Sequence, residues 1–400
     1  MSKNARIILK EDREKPILHR HPWVFSGAIL DQEGDPEPGA TVEITNTKGQ
    51  FLARGAFSPT SQIRVRIWSW DADQRINKDF FRRRLERSIA FRDLIGYGHP
   101  MRRLVHAESD GLPGLIVDQY GEYLVVQLLS AGVVYWREEI VRQLVNLIGP
   151  AGIYERSDVE VRKLEGLDQS TGTLYGTVPE GLISIQDEGL KHWIDIRKGH
   201  KTGAYLDQRL NRELIGSRCG GLSVLDCFCY TGGFSIQALR HGASALTLLD
   251  ASEEALALAS KNIQSNDLDN GKVKYQQGDV FEILRGLRDR GLSYDVIILD
   301  PPKFAPTASL AQRAARGYKD INLLAMKLLN PGGLLATFSC SGGINRDFFL
   351  RILSGAALDA VVNARILLHM GQSMDHSVNL SFPEGTYLKG FGIRVDKEEV

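Results

Sequence analysis

A cysteine and an aspartate, each at the end of a predicted strand, are the residues in this sequence best suited to chemistry. Cys340 follows the apolar run Leu334–Ser339 and precedes a serine and two glycines. A thiol at such a strand end is partly exposed, as a reactive nucleophile must be, although free cysteines more often pack as small apolar residues. Asp300 also ends an apolar run, and Pro301 and Pro302 follow it. The two prolines exclude helix and predict a rigid turn, which can hold the carboxylate against a flat base.

A glycine-containing segment, Val224–Ser235, predicts a ligand-binding loop. Its apolar run ends at Asp226, the adjacent Gly232 and Gly233 follow, and a helical pattern begins at about Phe234. Strand, tight turn and helix in this order form the entry unit of a doubly wound α/β domain, and the glycines let a ligand approach the backbone. The spacing is not G-x-G-x-x-G, which disfavours a nicotinamide dehydrogenase.

Five predicted strands must position these residues, with helical patterns between them: Ser223–Asp226, Ala245–Asp250, Val273–Gln277, Asp295–Asp300 and Leu334–Ser339. This alternation predicts an α/β fold with a doubly wound parallel sheet. Ligands bind such sheets beyond the carboxyl ends of the strands. One rim is therefore predicted to carry Asp226, Asp250, Asp279, Asp300 and Cys340.

Two of these rim carboxylates have a functional and a structural interpretation. Asp250 lies about twenty residues beyond the glycines, where a carboxylate meets ribose hydroxyls. It could also cap the helix that starts near Ser252, and both roles can hold together. Asp279 could accept from an adenine amino group while the apolar residues that follow it, Val280 and Phe281, stack on the ring. Alone, Asp279 would also be read as a helix cap.

The residues before this core predict two further domains. Residues 1–72 form a small β domain, in which Ile63, Val65 and Ile67 alternate with Arg64 and Arg66. Arginines beside aromatic residues can bind RNA, and Arg20 belongs to the same set, but a solvated strand face is the simpler interpretation. Residues 73–190 predict a mixed α+β middle domain, and residues 191–400 contain the core.

Composition limits the remaining possibilities. The 400 residues carry no net charge, which argues mildly against nucleic acid as a partner unless a local basic face exists. No long apolar run or signal peptide is present, so we expect a cytoplasmic protein without a membrane span. Cys227 and Cys229 lack further ligands at metal-binding spacing, so we predict packing roles and no metal.

Several motifs together resemble the class I S-adenosylmethionine-dependent methyltransferases. Within that class they are most similar to the ribosomal RNA cytosine-C5 methyltransferases with an N-terminal PUA-type RNA-binding domain. The resemblance covers essentially the whole chain and rests on His21–Gly27, Ser58–Arg64, Glu108–Gly114, Tyr154–Val159, Gly203–Arg209, Tyr230–Phe234, Asp300–Phe304, Phe338–Ser341 and Tyr387–Phe391. It implies a PUA domain at 1–72 and a methyltransferase domain at 191–400.

The resemblance also implies a reaction, with S-adenosylmethionine as cofactor and 23S ribosomal RNA as partner. Cys340 would add to C6 of a cytosine so that C5 becomes nucleophilic, and Asp300 would hydrogen-bond the N3/N4 edge of the base. Many such enzymes place a second cysteine where this chain has Pro302. The base that removes the C5 proton therefore stays open between Asp300 and a water molecule.

The resemblance assigns further residues by position. The expected cofactor-binding residues are Tyr205, Asp207, Asp226, Phe228, Tyr230, Thr231, Gly232, Gly233, Asp250, Asp279, Val280 and Asp300. The expected substrate-binding residues are Pro301, Pro302, Lys303, Arg20, Arg64 and Arg66. His376, Tyr387 and Lys389 either border the target base or belong to a surface loop and the final strand. A homodimer is left open.

Two alternatives remain. Methyltransferases that modify an exocyclic amine also use an Asp-Pro-Pro turn, usually followed by an aromatic residue, and need no cysteine. Lys303 stands at that position here, and Cys340 would have no role. A non-catalytic RNA-binding assembly factor is disfavoured because the glycine loop, Asp250, Asp300 and Cys340 are all present.

Overall fold

A computed structural model describes residues 5–269, 271–304 and 311–397. It divides into two compact units. The first contains the chain up to Gly189 together with Ile194–Leu206 and Met374–Gly385. The second contains Leu190–Trp193, Asp207–Ser373 and the chain from Thr386. No helix within the described ranges is long and apolar enough to span a membrane.

The part of the chain up to Ile194 contains mainly strands. The strands are β1 Arg6–Leu9, β2 Trp23–Phe25, β3 Ile29–Glu33, β4 Thr41–Thr45, β5 Phe51–Phe57, β6 Ile63–Ser69, β7 Met101–His106, β8 Leu115–Tyr120, β9 Tyr123–Leu128, β10 Gly152–Ser157, β11 Ser170–Gly176, β12 Ile183–Asp187 and β13 Leu190–Ile194. The helices are α1 Lys15–Leu18, α2 Lys78–Leu94, α3 Ala131–Tyr135 and α4 Arg137–Ile148.

The first unit contains a six-stranded and a five-stranded sheet. The six strands run in the order β2-β6-β5-β4-β1-β3, and the five in the order β11-β10-β9-β8-β7. The alternating pattern of β6 predicts that its apolar residues face the core, and Val65 and Ile67 are buried as predicted. Trp68, on the same strand, packs against Phe81 of α2 with ring centroids 5.4 Å apart. The domain boundaries after 72 and 190 stay predictions.

The second unit contains the predicted parallel core. Its strands are β14 Ser223–Cys227, β15 Ala245–Asp250, β16 Val273–Gln277, β17 Tyr294–Leu299, β18 Leu329–Ser339, β19 Val362–Met370 and β20 Lys389–Lys397. Its helices are α5 Arg209–Gly216, α6 Gly233–Arg240, α7 Glu253–Gln264, α8 Val280–Asp289, α9 Ala311–Leu328 and α10 Arg346–Ala360.

The seven strands form one sheet in the order β16-β15-β14-β17-β18-β20-β19. Strands β14 to β18 are mutually parallel, whereas β20 runs antiparallel to both β18 and β19. The order reverses between β14 and β17, and ligands of such sheets bind at this switch point. The predicted α/β fold is confirmed, and the loops after β14 and β17 are neighbours at the predicted rim.

Candidate active site

The loop after β14 has an unusual backbone that the sequence around it stabilises. Phe228 and Tyr230 have φ angles of 60° and 49°, a region that non-glycine residues rarely adopt, and Gly232 has a φ of 78°. The amide of Tyr230 donates to Asp250 Oδ2 over 2.8 Å. The side-chain amide of Asn262 donates to the carbonyl of Thr231 over 3.2 Å. The loop is thus held open from two neighbouring elements, as binding to backbone groups requires.

Asp250 supports this loop and does not cap α7. Its Oδ2 accepts from Tyr230, and its Oδ1 accepts from the amide of Ser252 over 3.0 Å. The cap of α7 is Ser252 itself, whose hydroxyl oxygen accepts from the amide of Ala255. The cap interpretation of Asp250 was therefore wrong. Each carboxylate oxygen can accept more than one hydrogen bond, so ribose binding stays a prediction.

Asp226 is a buried carboxylate with one unsatisfied oxygen. Its Oδ2 accepts from the hydroxyl of Ser235 over 2.7 Å, while Oδ1 has no hydrogen-bond partner among the described residues. Burial raises the pKa of Asp226 to about 7. A buried acceptor without a donor is costly unless a ligand supplies one. The site therefore fits a ligand with a cationic or hydrogen-bond-donating group.

Arg212 on α5 is a site residue that the sequence did not reveal. Its guanidinium lies over the ring of Phe234 at 5.9 Å. Burial lowers its pKa, while the negative charges of Asp300 and Asp207 oppose that effect. A Cβ atom on Gly233 would lie 2.6 Å from Arg212 Nε, so only glycine at 233 leaves room for this arginine. Arg212 thus places a positive charge among the carboxylates of the rim.

The residues after β16 behave as a helix cap. Asp279 Oδ1 accepts from the amide of Glu282 over 3.0 Å, which makes Asp279 the cap of α8. The side chain of Val280 is buried in the core, so the predicted stacking of this side chain on a ring is wrong. Asp279 is exposed at the end of the strand and stays a predicted adenine contact.

The Asp300 turn is fixed by its neighbours. The amide of Asp300 donates to the carbonyl of Cys227 over 3.4 Å, which joins the loops after β14 and β17. Pro301 is buried, whereas Pro302 and Lys303 are exposed. The ring of Phe304 packs against Tyr318 of α9 at 4.8 Å. The proline turn is therefore anchored at both ends, with Lys303 available to solvent between them.

Cys340 is half-buried, in a segment that hydrogen bonds hold on both sides. Ser339 and Ser341, its neighbours, are completely buried. The hydroxyls of Tyr318 and Ser341 are 3.0 Å apart, and the amide of Ser341 donates to Ser339 Oγ over 3.4 Å. The backbone of Cys340 is thus fixed while its side chain is partly accessible, as expected for a nucleophile.

The other cysteines are unsuitable as nucleophiles. All three are buried. Burial raises the pKa of the Cys219 thiol to about 12, and it raises those of Cys227 and Cys229 well above the usual value. Such thiols stay protonated and inert. Their predicted packing role is consistent with this burial.

Lys389 reaches the Cys340 segment from the last described strand. In the β18–β20 pair it lies opposite Ser339, and its ammonium donates to the carbonyl of Ser341 over 2.8 Å. Burial lowers the pKa of Lys389 to about 8; the negative charge that Cys340 can carry opposes this effect, and Lys303 adds to it. A buried ammonium next to a thiol favours the thiolate.

Asp207 and Tyr387 are also brought together. The phenol of Tyr387 donates to Asp207 Oδ2 over 2.6 Å, and Asp207 is buried. The carbonyl of Asp207 accepts from the amide of Ser373 over 2.9 Å. The predicted segment around Asp207 is therefore a rigid part of the second unit.

The remaining predicted residues lie in the first unit. Tyr205 has the ammonium of Lys201 above its ring at 4.4 Å. His376 is buried and 2.8 Å from the carboxylate of its neighbour Asp375. Arg20 is exposed, and its guanidinium lies over Trp70 at 5.5 Å.

The other two predicted RNA-binding arginines are engaged within the first unit. Arg64 is half-buried and donates to the carbonyl of Ser58 over 3.3 Å. Arg66 is buried and bonded to Glu108 and Glu165 at 2.8 and 2.9 Å. Counting Arg66 among the exposed, RNA-binding arginines was wrong, because two carboxylates already neutralise it.

Comparison with known proteins agrees with this arrangement. Residues 7–70 match the family described as a PUA-like domain, and residues 158–365 match that described as an S-adenosylmethionine-dependent methyltransferase. Proteins named ribosomal RNA large subunit methyltransferase I from Tolumonas auensis and Erwinia tasmaniensis are 49% and 47% identical to this chain. Each alignment covers 98% of this chain and 99% of the relative.

Solved structures share the fold at lower identity. A proposed SAM-dependent methyltransferase from Streptococcus mutans superimposes with a TM-score of 0.82 at 23% identity, over 97% of this chain and 99% of the other. A proposed methyltransferase complexed with SAH gives a TM-score of 0.84 with the same identity and coverage. The chain therefore belongs to the S-adenosylmethionine-dependent methyltransferases, in the family of the proteins named ribosomal RNA large subunit methyltransferase I.

Proposed function

We propose that this protein methylates C5 of a cytosine in 23S ribosomal RNA through a covalent bond between Cys340 and C6 of the base. One observation carries the proposal. Cys340 is the half-exposed cysteine at the ligand-binding end of the sheet, and the ammonium of Lys389 is bound next to it. Methylation of an exocyclic amine requires no such thiol.

The reaction begins at the thiolate of Cys340. Its sulfur forms a bond to C6, and the electron pair of the C5–C6 double bond moves toward C5 and N3, so that C5 becomes nucleophilic. Asp300, in its protonated form, would donate a hydrogen bond to N3, where negative charge develops, and a backbone carbonyl of its turn would accept from the N4 amino group. S-adenosylmethionine supplies the electrophilic methyl group.

The adduct then collapses. A base takes the proton from C5, the C5–C6 double bond re-forms, and the C6–S bond breaks to return the thiolate. Asp300 and a water molecule remain the candidates for this base, since Pro302 stands where related enzymes have a second cysteine. Lys389 acts through Cys340 in this scheme, as a positioning and charge-stabilising residue.

The residues for the cofactor lie around the glycine loop. Asp226 has a buried oxygen with no donor among the described residues, and Arg212 nearby has a guanidinium among three carboxylates. These groups fit the ammonium and the carboxylate of an amino-acid moiety. Asp250 would accept from the ribose hydroxyls, and Asp279 from the adenine amino group. The cofactor role of Tyr205 stays a prediction, and the oligomeric state stays open.

The test is methyl transfer from labelled S-adenosylmethionine to 23S ribosomal RNA, followed by nucleoside analysis. Wild type should yield 5-methylcytidine and Cys340→Ala none, while the control Cys219→Ala should remain active. RNA that contains 5-fluorocytidine should trap a covalent adduct with wild type, because fluorine replaces the C5 proton that the base must remove to release Cys340. An N-methylated product, or activity in Cys340→Ala, would contradict the mechanism.

A further inference from the structure

A cavity of about 720 Å³ lies wholly within the first unit, and Cys340, Asp300 and Lys389 do not line it. Binding sites for small ligands have volumes of roughly 300–1,000 Å³. Its walls come from four parts of that unit: the PUA-like region with Arg20 and Trp70, helix α2 with Arg84, Arg87 and Phe91, segment 108–113, and segment 377–382.

Three arginines line this cavity without a carboxylate partner. Within the described residues, Arg20, Arg84 and Arg87 form no ion pair. Burial lowers the pKa of Arg84, and the nearby charges of Arg87 and Arg83 lower it further. Neighbouring positive charges repel one another, and a bound anion would relieve this repulsion.

The two carboxylates in the same walls are already neutralised. Glu108 accepts from Arg66 and from the indole of Trp23, each over 2.8 Å. Asp110 accepts from Arg92 over 2.8 Å. The cavity therefore presents a net positive charge, even though the chain as a whole has none.

The cavity also has aromatic and hydroxyl groups. Trp70 and Phe91 are half-buried, and the indole of Trp70 is fixed by donation to the carbonyl of Ile17 over 3.0 Å. Ser109 and Ser381 add hydroxyls. Guanidinium groups beside aromatic rings are the combination that binds single-stranded nucleic acid, through phosphate contacts and base stacking.

Glycine at one position makes this arrangement possible. Gly111 has a φ of 70°, and a Cβ atom there would lie 2.6 Å from the guanidinium of Arg84. Any other side chain would strain the backbone and displace this arginine. The glycine at 111 therefore leaves room for the guanidinium of Arg84, which forms no ion pair in the described part of the chain.

We propose that this cavity anchors single-stranded RNA, with an unstacked base against the aromatic wall and the flanking phosphates on Arg20, Arg84 and Arg87. The inference rests on RNA as the substrate, as proposed above. It adds a second RNA contact, separate from the one at Cys340. Its role is to hold the substrate while the target base occupies the transfer site.

The test measures binding of a short fluorescein-labelled single-stranded RNA of mixed sequence to the full chain, without methyl donor. Arg87→Gln should weaken binding about fivefold and reduce the slope of log K against log salt by about 0.7, the value for one phosphate contact on a single strand. Phe91→Ala should weaken binding about fivefold or more without changing the slope. The control Arg83→Gln removes a charge on the same helix from a residue that is exposed and does not line the cavity, and it should weaken binding much less than Arg87→Gln.

Equal affinities for Arg87→Gln and Arg83→Gln would overturn the proposal. Micromolar binding of free cytidine monophosphate would also overturn it, by assigning the cavity to a mononucleotide. If Phe91→Ala fails to fold, photo-crosslinking of wild type to RNA with 4-thiouridine decides instead, since crosslinks should map to Trp70 or Phe91. Because no methyl donor is present, a failure of the Cys340 mechanism would leave these results unchanged.

Discussion

Lys389 donates from its ammonium to the carbonyl of Ser341, the residue directly after Cys340, over 2.8 Å. This bond joins two antiparallel strands at the point where the predicted nucleophile leaves the sheet. The charge of a buried side chain is thereby placed next to the one half-exposed cysteine among the described residues.

Replacing Lys389 should change the pH dependence of the reaction. The ammonium favours the thiolate of Cys340, so Lys389→Met should lower the single-turnover rate at neutral pH about tenfold, equivalent to one pKa unit. The loss should shrink as the pH rises and the thiol deprotonates unaided. Lys389→Arg, which keeps the charge, should recover part of the rate. A uniform loss at every pH would indicate a merely structural role.

The stability of the cofactor-free protein should depend on Asp226. Burial raises the pKa of this carboxyl to about 7, above its ordinary unfolded value. The contribution of Asp226 to stability is therefore present below about pH 4 and is lost as the pH rises to about 7. The unfolding free energy of Asp226→Asn, relative to wild type, should increase across this window and then level off. Urea titrations of both proteins at several pH values measure this difference in unfolding free energy. A difference that is the same at every pH would contradict a raised pKa for Asp226.

Removing the hydroxyl group of Tyr318 should loosen the segment that holds Cys340. Tyr318→Phe loses the hydroxyl contact with Ser341, which costs about 1–3 kcal/mol if the buried partner stays unsatisfied. We expect kcat to fall about fivefold while the dissociation constant of S-adenosylhomocysteine is unchanged, because the glycine loop is untouched. Calorimetric titration checks the second value. An equal loss in kcat and in the affinity for S-adenosylhomocysteine would mean that Tyr318 supports the cofactor site as well as the Cys340 segment.

A methyl group at position 233 should displace Arg212. In Gly233→Ala the new Cβ would lie 2.6 Å from Arg212 Nε, so we expect at least tenfold weaker binding of S-adenosylhomocysteine. Gly286→Ala in α8 is the matched control, since nothing lies within 4 Å of its added carbon. That variant should stabilise the protein by about 0.5–1 kcal/mol through helix propensity and bind normally.

The parts of the fold that depend on local patterns were predictable. Strands β15 and β16 have the predicted bounds, and β14, β17 and β18 overlap the predicted ones. Continuous apolar runs between helical patterns specify the buried parallel strands β14, β15, β17 and β18. Cys340 and Asp300 were placed correctly at the ends of their strands for the same reason. Their positions directly after apolar runs were sufficient to predict that these two residues lie at the rim of the sheet.

The unpredicted features depend on contacts between distant residues. The alternating pattern of β6 predicts an exposed side chain at Arg66. Arg66 is instead buried and forms ion pairs with Glu108 and Glu165. Arg212 and Lys389 reach the site from α5 and β20, and no local pattern indicates which buried partner a long cationic side chain meets. Asp250 lies just before α7, where an aspartate is a common cap, but the cap is Ser252, two residues later.

The position of β20 between β18 and β19 has a consequence for the order of events during synthesis. Strands β14 to β18 leave the ribosome first, and until β20 follows, one edge of β18 has no hydrogen-bonding partner and can pair with another chain. The same strand carries Lys389. The step that closes the exposed sheet edge is thus the step that places a positive charge beside Cys340, so the thiol gains its electrostatic support only when the aggregation-prone edge is covered.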